Sequence, residues 1–279
     1  MPTSSATLAD YLAHLADAGR APATLKHAMA VIRKQHRLNG HGNAYPDNEA
    51  ALLVLQGHRK EWAQGGNRTK EAPPITLPLL RRLSAACDPT TLAGKRDRLV
   101  LVMGMWLAGR RSELAALRIE DTHIDEDGEL VVYIRESKTD QQAEGETVYL
   151  PPGDHTDTDP VSLYREWIAA LEHVGADTSS GYLFRAITRH GKLYQHQRIS
   201  DKTVNNIVQR AARAARLPNA DRYSAHSLRA GFITQGAMDG VPLPLLARAG
   251  RWDPTSPTPM KYVRMVDQKQ NNPRRRMSS

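Results

Sequence analysis

The sequence predicts a mainly α-helical protein with a small β-sheet, an α+β fold, organised as two domains. Apolar residues recur at helical spacing along most of the 279-residue chain. Two runs rich in β-forming residues, 129–136 and 147–150, flank a polar hairpin tip. The segment 66–74 has no periodicity and contains glycine and proline clusters, which predicts a linker between domains 1–65 and 75–279.

Composition limits the classes of function. The formal net charge of +8 favours a polyanionic partner, most commonly nucleic acid, although a basic enzyme without such a partner is an equal alternative. Cys87 is the single cysteine, so no intrachain disulfide forms and a reducing cytoplasm fits. No Cys/His cluster has the spacing of a zinc site. The longest apolar run, 99–108, is too short to span a bilayer, so we expect no membrane partner.

The first domain is expected to be helical. Its predicted helices cover 8–17, 22–38 and 48–62. Thr7 is placed to cap the first helix, and Pro22 lies near the start of the second. One face of the second helix carries three cations, Lys26, Arg33 and Arg37. These cations are candidates for contact with a DNA backbone, while a solvated basic face is the ordinary alternative.

The second domain combines helices with the two strands. Its predicted helices cover 77–86, 92–107, 160–174, 201–216, 225–238 and 243–249. The helix 92–107 is largely apolar, so we expect it to be buried. The polar side of the helix 201–216 carries further candidates for DNA contact, Asn206, Arg210 and Arg213. The segment 273–276 is expected to form a disordered basic tail.

The C-terminal half contains residues suited to phosphate chemistry. His226 and Arg229 are spaced i, i+3, so on a helix both side chains point from one face. A guanidinium is a fixed charged fork that suits a phosphate, and an indole N–H such as that of Trp252 donates to a phosphate oxygen. The phenol of a tyrosine such as Tyr262 can attack phosphorus and remain attached to it. Such a site still needs a second arginine and a proton donor for the leaving group.

Two other places in the second domain offer those missing parts. Arg110 lies where the apolar helix meets a new one, followed by Glu113 and by leucines that would face the core. An ion pair between Arg110 and Glu113 is the alternative interpretation. Lys138, at the hairpin tip, is the only lysine between Arg118 and Leu150. A simply solvated lysine is the alternative there.

Taken together, these residues resemble the tyrosine recombinase, or phage integrase, family. The family pattern is an arginine in an Arg-x-Ser-Glu-Leu box, a hairpin lysine, His-x-x-Arg, then His or Trp, then Tyr. Here the pattern falls on Arg110, Lys138, His226, Arg229, Trp252 and Tyr262. The resemblance covers nearly the whole chain, with 1–65 similar to the core-binding domain and 75–279 to the catalytic domain. The chain resembles the simpler Cre or Xer type in two respects: Trp252 stands in place of histidine, and no arm-binding domain precedes the first helices.

The chain departs from that pattern at two places. Ala108 stands where a glycine often precedes the first arginine by two residues. The step from Trp252 to Tyr262 is ten positions, where nine is usual. The connection is rich in proline, and Thr258 as N-cap with Pro259 at the first helical position would start a helix that carries Tyr262.

The resemblance implies a site-specific DNA recombinase that cleaves and rejoins DNA through a 3′-phosphotyrosyl intermediate. Tyr262 would be the nucleophile and Lys138 the general acid, while Arg110 and Arg229 would bind the nonbridging oxygens. His226 would assist proton removal or bind a phosphate oxygen, and the indole of the tryptophan would donate or pack beneath the site. The implied partners are double-stranded DNA with paired inverted half-sites and three further copies of the chain in a homotetramer. No cofactor and no metal are implied, and the location would be the nucleoid in the cytoplasm.

Two alternative functions share this pattern. One is a DNA-binding protein of the same fold that has lost catalysis, which would lack the nucleophile or an arginine. The other is a type IB topoisomerase or a telomere resolvase, enzymes that usually carry further domains. The target DNA sequence, the direction of recombination and the need for accessory proteins do not follow from the sequence.

Overall fold

The computed structural model describes residues 3–41, 47–67, 72–136, 145–253 and 256–270. The chain forms two compact units, Met1–Glu71 and Ala72–Ser279. The division falls inside the segment 66–74 that was expected to be a linker. The predicted fold, mainly helical with small antiparallel sheets, is confirmed. Within the described ranges, no helix combines the length and the hydropathy needed to cross a membrane.

The first unit consists of three helices around a small apolar core. They are α1 (Ser5–Asp17), α2 (Pro22–Leu38) and α3 (Glu49–Gln64). The prediction that Thr7 caps α1 is wrong, because the hydroxyl of Ser4 accepts the backbone N–H of Thr7 and starts the helix earlier. One stripe of each helix faces the core, which contains Leu8, Leu12, Leu25, Met29, Ala51 and Leu55.

The second unit packs its helices around one central helix. The helices are α4 (Leu77–Ala85), α5 (Leu92–Trp106), α6 (Arg111–Ala116), α7 (Pro160–His173), α8 (Asp201–Ala214), α9 (Ala225–Met238), α10 (Leu243–Ala249) and α11 (Thr258–Gln270). As its apolar sequence predicts, α5 is buried, and it packs against α4, α7, α8 and α9. The predicted basic tail, 273–276, lies outside the described residues.

A three-stranded antiparallel sheet covers one side of this unit. Its strands, in spatial order, are β1 (Thr122–Ile124), β2 (Leu130–Ile134) and β3 (Glu146–Leu150). The predicted pairing of the two β-rich runs is confirmed, with Val132 opposite Val148. The sequence analysis missed β1 and a separate two-stranded sheet, β4 (Arg185–Ile187) with β5 (Leu193–Arg198). The strands β1 and β4 have three residues each, which is too few to show alternation. β5 is mostly exposed and polar, so it has no clear period-two pattern either.

A close backbone approach fixes α9 against the segment that enters the second unit. The backbone N–H of Ile75 donates to the carbonyl of Ser227 at 2.9 Å, so the chain runs directly against the helix. Gly231 makes this possible, because a Cβ at that position would lie 1.9 Å from the carbonyl oxygen of Ile75. The side chain of Ile75 is fully buried beside the contact. This packing sets the position of α9, which carries His226 and Arg229.

We predict that Gly231→Ala destabilises the second unit, because the added methyl group must displace backbone rather than a flexible side chain. Overpacking of this kind costs about 1–3 kcal/mol. Urea unfolding followed by circular dichroism measures the change. Gly57→Ala is the matched control, since Gly57 is also inside a helix but has open space around it. That control should be neutral or stabilising by up to about 1 kcal/mol. Equal effects of the two substitutions would contradict the prediction.

Candidate active site

The first arginine is fixed by the turn that joins α5 to α6. Arg110 is the N-cap residue of α6, and the carboxylate of Glu113 accepts its backbone N–H at 3.0 Å and its Nη1 at 2.6 Å. Ala108, two residues earlier, has a left-handed backbone with φ of 44°. The ion pair between Arg110 and Glu113, which was the alternative interpretation of Arg110, is therefore present, but Glu113 is buried rather than on the surface. The same contacts satisfy the start of the helix. The pairing holds the guanidinium in one orientation while leaving it partly exposed.

Glu113 also binds a second guanidinium, that of Arg251. The two atoms, Oε2 of Glu113 and Nη2 of Arg251, are 2.7 Å apart, and both side chains are at most 4% exposed. Burial alone would raise the pKa of the Glu113 carboxyl. The hydrogen bond from the Arg110 backbone and the charges of Arg251 and Arg110 outweigh burial, so this pKa lies below its ordinary value. The carboxylate is therefore ionised at neutral pH.

The second arginine of the pattern is buried on α9. Arg229 is 5% exposed and donates to the carbonyl oxygens of Ala108 and of Arg251. Burial lowers its pKa to about 10, and the positive charge of Arg110 acts in the same direction. The group still carries its charge at neutral pH. A cation held this way by backbone acceptors is preorganised for an anion.

Trp252 covers Arg229. The Arg229 guanidinium carbon lies 4.1 Å from the centroid of the Trp252 ring, which is a cation–π stack. The ring folds back onto Gly250, where a Cβ would lie 1.6 Å from it, so only glycine fits at the end of α10. Of the two roles that the resemblance offered for the tryptophan, packing against the site is the one this geometry favours.

The phenol and the imidazole of the pattern lie in contact. Tyr262, in the second turn of α11, places its hydroxyl 3.2 Å from Nε2 of His226. His226 is exposed, although it shares α9 with the buried Arg229. The helix begins at Thr258, one residue before the predicted first position. The ten-residue step from Trp252 therefore still brings the phenol to the histidine.

Lys138 is the one candidate of the catalytic pattern that lies outside the described residues. It belongs to the segment 137–144, between the paired strands β2 and β3. The first residue of β3, Glu146, has its carboxylate 3.9 Å from Nε of Arg251, so the base of the hairpin lies beside the buried ion pair. The role of the lysine stays a prediction.

The candidates for DNA contact are exposed within their own units. Lys26, Arg33 and Arg37 are exposed on α2, and their contact with DNA stays a prediction. On α8 the side chains of Asn206, Arg210 and Arg213 are also exposed. Two of these already have carboxylate partners, since Arg210 pairs with Asp97 of α5 and Arg213 with Asp221. Their charges are therefore partly compensated before any DNA is bound.

Arg251 is the buried charge of this site that the sequence analysis did not identify. The residue immediately precedes Trp252, but a single arginine in a chain with 38 lysines and arginines carries no signal of burial. Its left-handed backbone, with φ of 54°, turns the chain between α10 and the tryptophan. Only the pairing with Glu113, 138 positions away, reveals its place.

Residues 78–269 of the chain match the phage integrase family. The integrase/recombinase XerD homolog of Selenomonas ruminantium is 28% identical over 246 residues, covering 86% of this chain and 68% of that protein. The recombinase Cre of Escherichia phage P1 is 25% identical over 281 residues, covering 95% of this chain and 77% of Cre.

Solved recombinase structures share the fold. The XerH site-specific recombinase, in a post-cleavage complex with a palindromic difH substrate, superposes with a TM-score of 0.65 at 16% identity. The superposition covers 99% of this chain and 73% of XerH. A lambda integrase dimer bound to a COC′ core site gives a TM-score of 0.58 at 15% identity, covering 94% of this chain and 64% of the integrase.

The family match extends from α4 into α11 and so spans every described element of the site. Within it lie the paired arginines, the imidazole and the phenol in the order that the family pattern requires. The expectation drawn from the six motif residues is confirmed, and the chain belongs to the phage integrase family, the site-specific tyrosine recombinases that transfer DNA strands.

Proposed function

We propose that this chain cleaves and rejoins DNA through a covalent 3′-phosphotyrosyl link to Tyr262. The contact of 3.2 Å between the Tyr262 hydroxyl and Nε2 of His226 carries the proposal. A phenol has an ordinary pKa of about 10, so at neutral pH it needs an acceptor for its proton. His226, with Nε2 unprotonated, accepts that proton as the phenolic oxygen attacks phosphorus.

Arg110 and Arg229 would stabilise the charge that develops on phosphorus. Attack by the phenol adds negative charge to the nonbridging oxygens, and donors already fixed in place bind this state better than the ground state. Arg110 is held by Glu113, and Arg229 by two carbonyl oxygens and the Trp252 ring. Neither guanidinium has to be reorganised when the reaction begins.

Lys138 would supply the proton for the departing strand. The bond between phosphorus and the 5′ oxygen breaks as the tyrosyl bond forms, and the 5′ oxygen leaves as a hydroxyl once it is protonated. Attack by the 5′ hydroxyl of another strand then reverses these steps and releases Tyr262. The energy of the phosphodiester is kept in the tyrosyl link, so the exchange requires no nucleotide hydrolysis.

We also propose that the working unit is a homotetramer on two DNA sites, each with inverted half-sites. Each site has two strands, each tyrosine attaches to one strand, and two sites therefore require four chains for complete exchange. The first unit would act as the core-binding domain and the second as the catalytic domain. Because the substrate is DNA, we place the activity at the nucleoid, in the cytoplasm.

The two rival functions are weaker on specific grounds. A DNA-binding protein that has lost catalysis would lack part of the constellation, whereas the nucleophile and both arginines are present. A topoisomerase or telomere resolvase would use the same residues for relaxation or hairpin formation. The Cre and XerD homolog matches, each over more than four fifths of this chain, favour recombination between sites.

We predict that Tyr262→Phe abolishes covalent attachment to DNA and leaves DNA affinity nearly unchanged, because only the attacking oxygen is removed. A target duplex is first selected from a random-sequence pool by covalent capture with the wild-type protein. Attachment to a nicked version of that duplex is then read on a denaturing gel. Tyr223→Phe is the matched control, since Tyr223 lies just before α9 and should keep full activity. A covalent adduct with Tyr262→Phe would contradict the assignment of Tyr262 as the nucleophile.

We predict that Lys138→Ala slows cleavage of ordinary DNA by about 10²–10⁴-fold, the usual contribution of a general acid. Sulfur in place of the bridging 5′ oxygen gives a leaving group that departs without protonation. On that substrate Lys138→Ala should approach the wild-type rate, while Arg229→Ala should remain defective. If Lys138→Ala is equally impaired on both substrates, the lysine only binds phosphate and His226 becomes the first candidate for the acid.

We predict that replacing Lys26, Arg33 and Arg37 together with glutamine reduces the salt dependence of DNA binding. Each lost phosphate contact lowers the slope of log K against log salt by about 0.9. Fluorescence anisotropy with the full-length protein at several salt concentrations measures the slope. Lys60→Gln is the control, because Lys60 is exposed on α3 and not on the face of α2 that carries the three cations. An unchanged slope in the triple variant would show that α2 does not bind the backbone.

A further inference from the structure

Arg251 is a buried cation to which the proposed chemistry assigns no step. Its side chain is 3% exposed and pairs with Oε2 of Glu113 at 2.7 Å. The other oxygen of that carboxylate binds Nη1 of Arg110 at 2.6 Å. One carboxylate is therefore shared between a buried guanidinium and a partly exposed one.

The backbone of Arg251 reaches the second arginine of the site. Nη2 of Arg229 donates to its carbonyl oxygen at 3.4 Å. This carbonyl belongs to a residue with a left-handed backbone, a conformation that residues other than glycine rarely adopt. Gly250 beside it allows the Trp252 ring to fold back over Arg229. Arg251 is therefore linked to both arginines proposed to bind phosphate. It contacts Arg229 directly through its carbonyl oxygen, and Arg110 indirectly through Glu113.

We propose that Arg251 is a positioning residue that offsets the charge of Glu113, so that Arg110 keeps its charge and its orientation for the scissile phosphate. This inference rests on the proposed function. Without Arg251, Oε2 of Glu113 would keep the backbone N–H of Arg110 but lose its guanidinium partner, so the full carboxylate charge would act on the Arg110 guanidinium and largely cancel its charge. The phosphate would then meet a weaker cation.

The energetics support this role over a purely stabilising one. A buried ion pair adds little net stability compared with apolar groups of the same volume. Burial next to the other arginines is also unfavourable, because the charges of Arg110 and Arg251 both lower the pKa of Arg229. An arginine at position 251 is therefore repelled by the charge of Arg229, and what it contributes is a fixed positive charge that balances the carboxylate of Glu113.

The test compares cleavage by full-length variants on the selected target duplex. Arg251→Met removes the charge and Arg251→Lys keeps it, while Glu113→Gln combined with Arg251→Met removes both partners. Each rate is also measured on a duplex with a methylphosphonate at the scissile position, which lacks the negative charge of a phosphodiester. Arg248→Met is the control, because Arg248 is an exposed arginine on α10. DNA affinity and the circular dichroism spectrum are recorded for every variant.

We expect Arg251→Met to slow phosphodiester cleavage by about 10²–10³-fold, the usual effect of losing one charge-stabilising donor, with DNA affinity nearly unchanged. Arg251→Lys should stay within about tenfold of wild type, and the double variant should be faster than Arg251→Met alone, because the lone carboxylate is gone. On the methylphosphonate the defect of Arg251→Met should shrink. Arg248→Met should match wild type on both duplexes.

Three results would overturn the inference while the wild-type protein still forms its adduct. They are a near wild-type rate for Arg251→Met, an equal defect on both duplexes, and a folded double variant slower than Arg251→Met. If Arg251→Met is unfolded by circular dichroism, the lysine and double variants decide, and loss of cleavage in both while folded would overturn it. No adduct with the wild-type protein on any selected duplex would overturn the proposed function itself, and this inference with it.

Discussion

The buried carboxylate of Glu113 is the interaction on which the candidate site depends. Three guanidiniums, those of Arg110, Arg229 and Arg251, come from three different stretches of the second unit and repel one another. Glu113 binds two of them directly, and the backbone carbonyl of Arg251 holds the third. A charge cluster of this kind is stable only where the fold already fixes its members, so the close packing of α9 and the turn after α10 are conditions for the chemistry.

Much of this architecture could be predicted from the sequence. The six helices of the second unit for which both ends were predicted end within about two residues of the prediction, because apolar runs and periodic apolar stripes leave a direct trace in residue order. The chemistry of the motif residues also has few alternatives: attack on phosphorus needs an oxygen nucleophile, fixed cations and a proton donor. Family membership, fold class and recombinase activity were therefore within reach, whereas the individual roles of the six motif residues stay predictions.

Other features depend on contacts that leave no local trace. Arg251 looks like any other basic residue until its partner 138 positions earlier is known. The polar strand β5 and the three-residue strands obtain their backbone partners from elsewhere in the fold, so their own residues do not alternate. The ten-residue step before Tyr262 was an anomaly in the sequence alone. In the structure, α11 starts one residue earlier than predicted and packs against both α9 and α10.

The position of Tyr262 in α11 has a consequence for protein synthesis. Chains leave the ribosome from the N-terminus, and domains generally fold in that order. The arginines proposed to bind phosphate lie on earlier elements, while α11 is the last described element to be synthesised and packs against α9 only afterwards. The proposed nucleophile is therefore synthesised after every other residue proposed for the site, and its contact with His226 can form only once α11 packs against α9.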